Sequence, residues 1–118
     1  INLKYSVELE CRVTQNGWQT QLLRTLLSNK QPLRKNKKLD FYIAYTNAPK
    51  PYDIYWKVRN RGPVAIERNM IRGQIIRTNK EHQKEESNFS GSHYVECYLV
   101  KNNVCVGIGR IKVPISSF

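Results

Sequence analysis

Lys57, Arg59, Arg72 and Gln74 are the residues in this chain whose types and spacing are best suited to chemistry, and they fall in the stretch DIYWKVRNRGPVAIERNMIRGQII, Asp53 to Ile76. An arginine offers a planar fork to a phosphate or carboxylate, and a lysine offers a point charge. Gln74 and the nearby Asn60 can each donate and accept toward the polar edge of a base. The chemistry implied is capture of an anionic or polar ligand, with no bond broken. No CxxC pair and no HExxH is present. His93 and Glu96 come nearest to an acid–base or metal pair. Three residues apart on a strand, they point to opposite faces, which is poor geometry for a shared metal or proton relay. His93 reads as a hydrogen-bonding residue at a strand start, with a pH-dependent switch as the other reading. The expectation is a non-enzymatic domain with no catalytic residue, no metal and no cofactor.

The elements around these residues must hold them on one side. Ile54, Trp56 and Val58 alternate with Tyr55, Lys57 and Arg59, so a strand here buries the first set and presents the second. Asn60-Arg61-Gly62-Pro63 breaks it, since Gly tolerates positive φ and Pro cannot donate to a ladder. A second extended segment from about Met70 to Arg77 places Arg72 and Gln74 on one face. Further along, Tyr94 and Tyr98 supply ring faces for stacking a base, worth roughly 1 to 3 kcal/mol per base. The same polar groups also suit a cross-strand ladder in which Glu96 pairs with Arg72 or Lys57.

The chain has 118 residues, the size of one domain, and a net charge of +11. It opens on Ile1 with a strand pattern almost at once, which reads as a domain from a longer protein. The charge favours nucleotides, nucleic acid or an acidic protein surface, against the alternative of a solvated cationic face. No apolar run approaches the roughly 18 residues that cross a bilayer, so no membrane partner is expected. Three cysteines, Cys11, Cys97 and Cys105, sit in strand-like patterns. An odd number argues against a disulfide framework and for a reducing, cytoplasmic compartment, with each thiol a small buried hydrophobe.

Taken in order, Tyr5 to Thr14 is a strand with Tyr5, Val7, Leu9, Cys11 and Val13 inward. Trp18, Leu22, Leu23, Leu26 and Leu27 form a stripe that predicts a short amphipathic helix over 18–28. Asn29 to Lys38 is a cationic loop without an acid. Leu39, Phe41, Ile43 and Tyr45 mark the next strand, and Asn47-Ala48-Pro49-Lys50-Pro51 a rigid connector. Asn79 to Ser92 has little to bury and reads as a mobile loop, or as a lid that orders over a ligand. His93 to Lys101 is a strand, Asn102-Asn103 a tight hairpin, and Val104, Val106 and Ile108 continue the next strand. Gly107 and Gly109 mark a bulge or a close backbone approach, and Ile111, Val113 and Ile115 extend the strand or form a last one, with Pro114 near an edge. The sum is a mainly β, antiparallel, immunoglobulin-like sandwich of six or seven strands with one short helix. A small barrel plugged by that helix is the alternative.

Three ordered blocks carry a family likeness. YWKVRNRG (Tyr55 to Gly62), IRGQI (Ile71 to Ile75) and GSHYVECYLVKN (Gly91 to Asn102) resemble the adenylyl/guanylyl cyclase and SMODS C-terminal sensor domain. The likeness is concentrated from Pro51 to Ile115 and is only at the level of pattern in the earlier strands. It implies a regulatory domain that senses a ligand or trigger, controlling an N-terminal nucleotidyltransferase or cyclase of the same chain in bacterial anti-phage signalling. The matching residues are Trp56, Lys57, Asn60, Gly62, Arg72, Gly73, Gln74, Gly91, His93, Tyr94 and Glu96. Trp56 and the glycines would serve the fold. Lys57, Asn60, Arg72, Gln74, His93, Tyr94 and Glu96 would serve ligand binding, the ligand being a nucleotide or another anion. The competing readings are a nucleic-acid-binding domain and a docking module without a small ligand. No zinc finger, RNP-like aromatic motif or GXXG loop supports the former.

Overall fold

The computed structural model describes residues 1–14, 19–59, 75–88 and 91–116. In chain order its elements are β1 (Val7–Thr14), β2 (Thr20–Leu22), α1 (Leu23–Ser28), β3 (Lys38–Thr46), β4 (Asp53–Arg59), β5 (Ile75–Arg77), β6 (His82–Glu86), β7 (Gly91–Lys101) and β8 (Val104–Ile115). Among the described residues the strands form two antiparallel four-stranded sheets, ordered β2-β1-β3-β6 and β5-β4-β7-β8. The alternation in the sequence decides which sides face inward. Val7, Leu9, Cys11 and Val13 from β1, Ile54, Trp56 and Val58 from β4, and Val95, Cys97 and Leu99 from β7 all join one buried cluster. Each fully buried aliphatic or aromatic side chain there stabilises the fold by about 1.5 to 3 kcal/mol.

The two sheets meet most closely where β1 crosses β8. A β-carbon at Gly109 would lie 2.8 Å from Val7 Cγ1 and 3.0 Å from both Leu9 Cγ and the Val7 carbonyl oxygen. One at Gly107 would lie 2.9 Å from Val7 Cγ2. The close approach expected of these glycines is therefore present. A bulge accompanies it: Leu99 pairs with Gly107 and Val100 with Cys105, so Val106 has no partner across the ladder. That extra residue shifts the phase of β8. Ile108 does not share the inward face of Val106 but lies opposite Tyr98 on the outer face, and Arg110 and Lys112 follow it there. β8 then runs unbroken to Ile115 as, among the described residues, the edge strand of its sheet, with Pro114 near its end.

Two stretches differ from expectation. The helix begins at Leu23, because Thr20, Gln21 and Leu22 pair with Thr14, Val13 and Arg12 as β2. An open ladder on β1 overrides the local helix propensity of that half, and Leu23 and Leu26 alone carry the buried stripe of α1. Trp18, the first residue of the expected stripe, lies outside the described residues. The segment after Thr78, read as a loop, holds β6, whose His82, Lys84 and Glu86 pair with Tyr42, Asp40 and Lys38. It is tied down before and after that strand. Trp56 Nε1 donates to the Lys80 carbonyl at 2.8 Å, and Asn79, at φ 55°, accepts from the Ile54 amide through Oδ1 at 2.8 Å. The fully buried Ser87 hydroxyl accepts from the Lys37 amide and donates to the Arg34 carbonyl, which also anchors the cationic loop. Leu33, 1% exposed, pins the same loop into the core. The Asn102-Asn103 hairpin forms as expected, with φ of 51° and 64°.

Cys11 and Cys97 are buried and Cys105 is half-buried, all three as free thiols. Burial pushes the Cys11 and Cys97 thiols up from 9.0 to about 12, with the Asp40 charge adding to the effect at Cys11. Both neutral thiols are thus favoured in the folded state. Their contribution is fully present below about pH 9 and is lost as pH rises from there toward about 12. Urea unfolding midpoints should accordingly fall as pH is raised above about 9, and brief alkylation near neutral pH should label Cys105 before the other two. Gly109→Ala should destabilise by about 1 to 3 kcal/mol through overpacking against Val7, read as a lower denaturant midpoint at unchanged slope.

Candidate functional site

The outer face of the second sheet gathers the polar chemistry in rows set by strand register. Across β4, β7 and β8 the first row is Tyr55, Tyr98 and Ile108, the second Lys57, Glu96 and Arg110, and the third Arg59, Tyr94 and Lys112. Arg77 on β5 stands opposite Tyr55, and Asp53 begins the outer set of β4. Neighbouring strands lie roughly 5 Å apart, so each row spans about 10 Å from β4 to β8. This face thus carries Lys57, Arg59, Arg77, Arg110 and Lys112 against the carboxylates of Asp53 and Glu96.

Glu96 is the hub. Its Oε1 accepts from the Tyr98 hydroxyl at 2.8 Å and stands 4.0 Å from Lys57 Nζ, while its Oε2 is 3.3 Å from Arg110 Nε. Its side chain is only 14% exposed, so the pairings sit in a partly desolvated setting where they are stronger than on open surface. Burial first, and then the Glu96 carboxylate, hold the Tyr98 phenol above its ordinary range, so it stays a donor. Arg110 is fixed twice, by Nε on Glu96 and by its guanidinium 4.0 Å from the centroid of the Tyr94 ring. Beside it a pocket of about 290 Å³ is lined by Ser92, His93, Tyr94, Arg110, Lys112, Val113 and Pro114. Across Tyr94, the buried Nε of Arg59 has no hydrogen-bond partner among the described residues.

The structure brings Lys57, Tyr94 and Glu96 together on this face, and the Lys57–Glu96 pairing is the cross-strand ladder expected of them. His93 is separated from the group. It stands within β7 with its side chain inward and 5% exposed, not at the end of a loop, and reaches the pocket only as part of its floor. Its orientation opposite to Glu96 is as the strand parity requires. Asn60, Arg72 and Gln74 lie outside the described residues. Arg110 and Lys112 were missed from sequence because the bulge at Val106 reverses which residues of β8 face outward. The run Gly-Arg-Ile-Lys, read together with that bulge, was the signal.

A second polar cluster occupies the outer face of the first sheet. Arg12 lies 4.7 Å from the centroid of the Tyr42 ring, Tyr42 stacks on His82 at 5.5 Å, and His82 Nδ1 meets both Asp40 oxygens at 3.1 Å. An open groove of about 710 Å³ runs beside it from Arg12 and Asp40 toward Lys38, Lys84 and Asn88. Among the described residues no group of three or more His, Cys, Asp or Glu side chains is placed to hold a metal ion, and no helix is long and apolar enough to cross a membrane.

Against known proteins, residues 1–116 match the family described as the Adenylyl/Guanylyl and SMODS C-terminal sensor domain. The chain belongs to that family. The match extends the likeness seen from Pro51 onward back through β1, β2, α1 and β3. A cyclic GMP-AMP synthase of Escherichia albertii is 28% identical over 107 residues, which is 87% of this chain and 23% of that protein. The sensor domain thus spans about a quarter of the length of this relative. Tyr98→Phe tests the hub directly. Loss of the donor to Glu96 should cost about 1 to 2 kcal/mol of stability by denaturant unfolding.

Proposed function

We propose that this domain binds an anionic ligand, a nucleotide foremost, on the outer face of its second sheet, and through that binding regulates a nucleotidyltransferase or cyclase of the same chain in bacterial anti-phage signalling. The observation that carries the reading is the clustering of Lys57, Arg59, Arg110 and Lys112 around Tyr94, with one buried guanidinium nitrogen of Arg59 lacking a partner among the described residues. A desolvated donor without an acceptor costs about 1 to 3 kcal/mol, and a ligand oxygen would relieve it. Membership in a sensor family supports the regulatory role, and the cyclic GMP-AMP synthase relative supports linkage to a nucleotide-making enzyme. No reaction is assigned to the domain itself, and a cytoplasmic setting suits its free thiols. Asn60, Arg72, Gln74 and His93 remain proposed ligand residues on the strength of the sequence blocks. Regulation requires the ligand to bind one conformation of the domain better than another, by a margin equal to the shift it causes.

A second reading is supported by the breadth of the same face. Three tyrosines and five cations spread over four strands also suit a single-stranded nucleic acid, with bases on the rings and phosphates on the cations. Thermal unfolding with nucleotides, cyclic nucleotides and short oligonucleotides separates these cases. A ligand at a hundredfold excess over its Kd should stabilise the chain by about 2.7 kcal/mol. The double variant Lys57→Ala with Arg59→Ala should lose most of that gain. If no nucleotide or oligonucleotide raises the melting temperature, the anion-sensing reading fails. A steep loss of affinity with added salt, increasing with oligonucleotide length, would favour the strand-binding reading.

A further inference from the structure

A pocket of about 290 Å³ is at the lower edge of the roughly 300 to 1,000 Å³ that encloses a whole small ligand, so this one suits a single group at the end of a larger molecule. Its polar lining says which group. Arg110 commits its Nε to Glu96 and sets its guanidinium carbon over the Tyr94 ring, which leaves the paired terminal nitrogens of a half-exposed guanidinium for something else. A fork held from behind in this way is ready for two parallel hydrogen bonds to a phosphate. Lys112 stands next to it across from Tyr94, is exposed, and forms no ion pair among the described residues. Ser92 adds a hydroxyl from the neighbouring strand. Glu96 shares its one negative charge between Arg110 at 3.3 Å and Lys57 at 4.0 Å, so Arg110 and Lys112 together face the pocket with a net charge of between about one and two.

We propose that the pocket between Ser92, Tyr94, Arg110 and Lys112 receives a terminal phosphate monoester, with Glu96 and Tyr94 as the residues that position the Arg110 fork. The proposal rests on the reading of this face as an anion-binding surface and adds to it the group recognised. Two cationic side chains, only one of them shared with a carboxylate, match the dianion of a monoester better than the single charge of a phosphodiester. The monoester could belong to a free nucleotide or to the phosphorylated end of a strand, and the chemistry at the pocket is the same. The body of the ligand would extend from the pocket over the third row toward Arg59.

Binding of four probes to the full chain tests this: adenosine 5′-monophosphate, adenosine 3′,5′-cyclic monophosphate, and one short oligonucleotide with either a 5′-phosphate or a 5′-hydroxyl. The monophosphate should bind about tenfold or more tighter than the cyclic diester, because charge-assisted hydrogen bonds are lost with the second charge. A strand source would appear as the same preference between the two oligonucleotides. Arg110→Lys keeps the charge but removes the fork, and should weaken monoester binding about ten- to a hundredfold. Glu96→Ala supplies a test of opposite sign. Removing a carboxylate beside an anion should tighten binding by simple charge, whereas loss of the group that holds Arg110 should weaken it, with Glu96→Gln intermediate. Weaker binding in a variant that retains its cooperative unfolding supports the positioning role, and tighter binding in Glu96→Ala overturns it. Equal affinity for monoester and diester, with Arg110→Lys and Lys112→Ala both silent, overturns the phosphate pocket. Loss of binding in Lys57→Ala with Arg59→Ala would in that case leave the anion-binding face standing. Binding of none of the four removes both readings.

Discussion

The absence of two β-carbons governs this structure. At Gly107 and Gly109 the edge strand of one sheet lies almost against Val7 of the other, and any larger residue would have to push the sheets apart. Because the core is filled by side chains from both sheets, such a displacement would be felt as far as Trp56 and Phe41. The backbone amides of Asn2, Lys4 and Tyr5 reinforce the junction by donating to the carbonyls of Cys105 and Val106. The same short stretch of β8 thus closes the sandwich, accommodates the bulge and sets the phase of everything after it.

That phase connects packing with chemistry. A strand that skips one residue in its ladder turns all later side chains over. Here the consequence is that Arg110 and Lys112 join Lys57, Glu96 and Tyr94 rather than facing the core, where unpaired charges would be very costly. The group so formed is held together by Glu96. Truncating a carboxylate that serves a tyrosine, a lysine and an arginine leaves three polar groups to find other partners, which is why pairs of this kind cost more to break than their net contribution to stability suggests.

What could be read from the sequence followed from periodicity. The alternation of β1, β4 and β7 is clean, so their inward faces, the buried Trp56 and the outward placement of Lys57, Tyr94 and Glu96 were all visible. The paired asparagines announced their turn. The missed features are those in which tertiary context overrides local pattern. β2 carries a helical stripe and becomes a strand because β1 has a free edge to pair with. β6, His-Gln-Lys-Glu-Glu, has nothing apolar to mark it and is a strand because β3 supplies a ladder and Trp56, Asn79 and Ser87 fix its approaches. The Asp40–His82–Tyr42–Arg12 assembly was hidden for the same reason, since its histidine lay in a supposed loop.

β6 also has a consequence for how many copies of this protein can share a solution. Among the described residues it is the outermost strand of its sheet, the position at which a strand from another molecule can add. Every residue along it is charged or strongly polar, and Lys84 and Glu86 project from it as solvated flanks. A second molecule adding at that rim would have to strip water from those flanks to gain a few backbone bonds. The composition that made this strand hard to recognise is therefore the one that discourages growth into fibres.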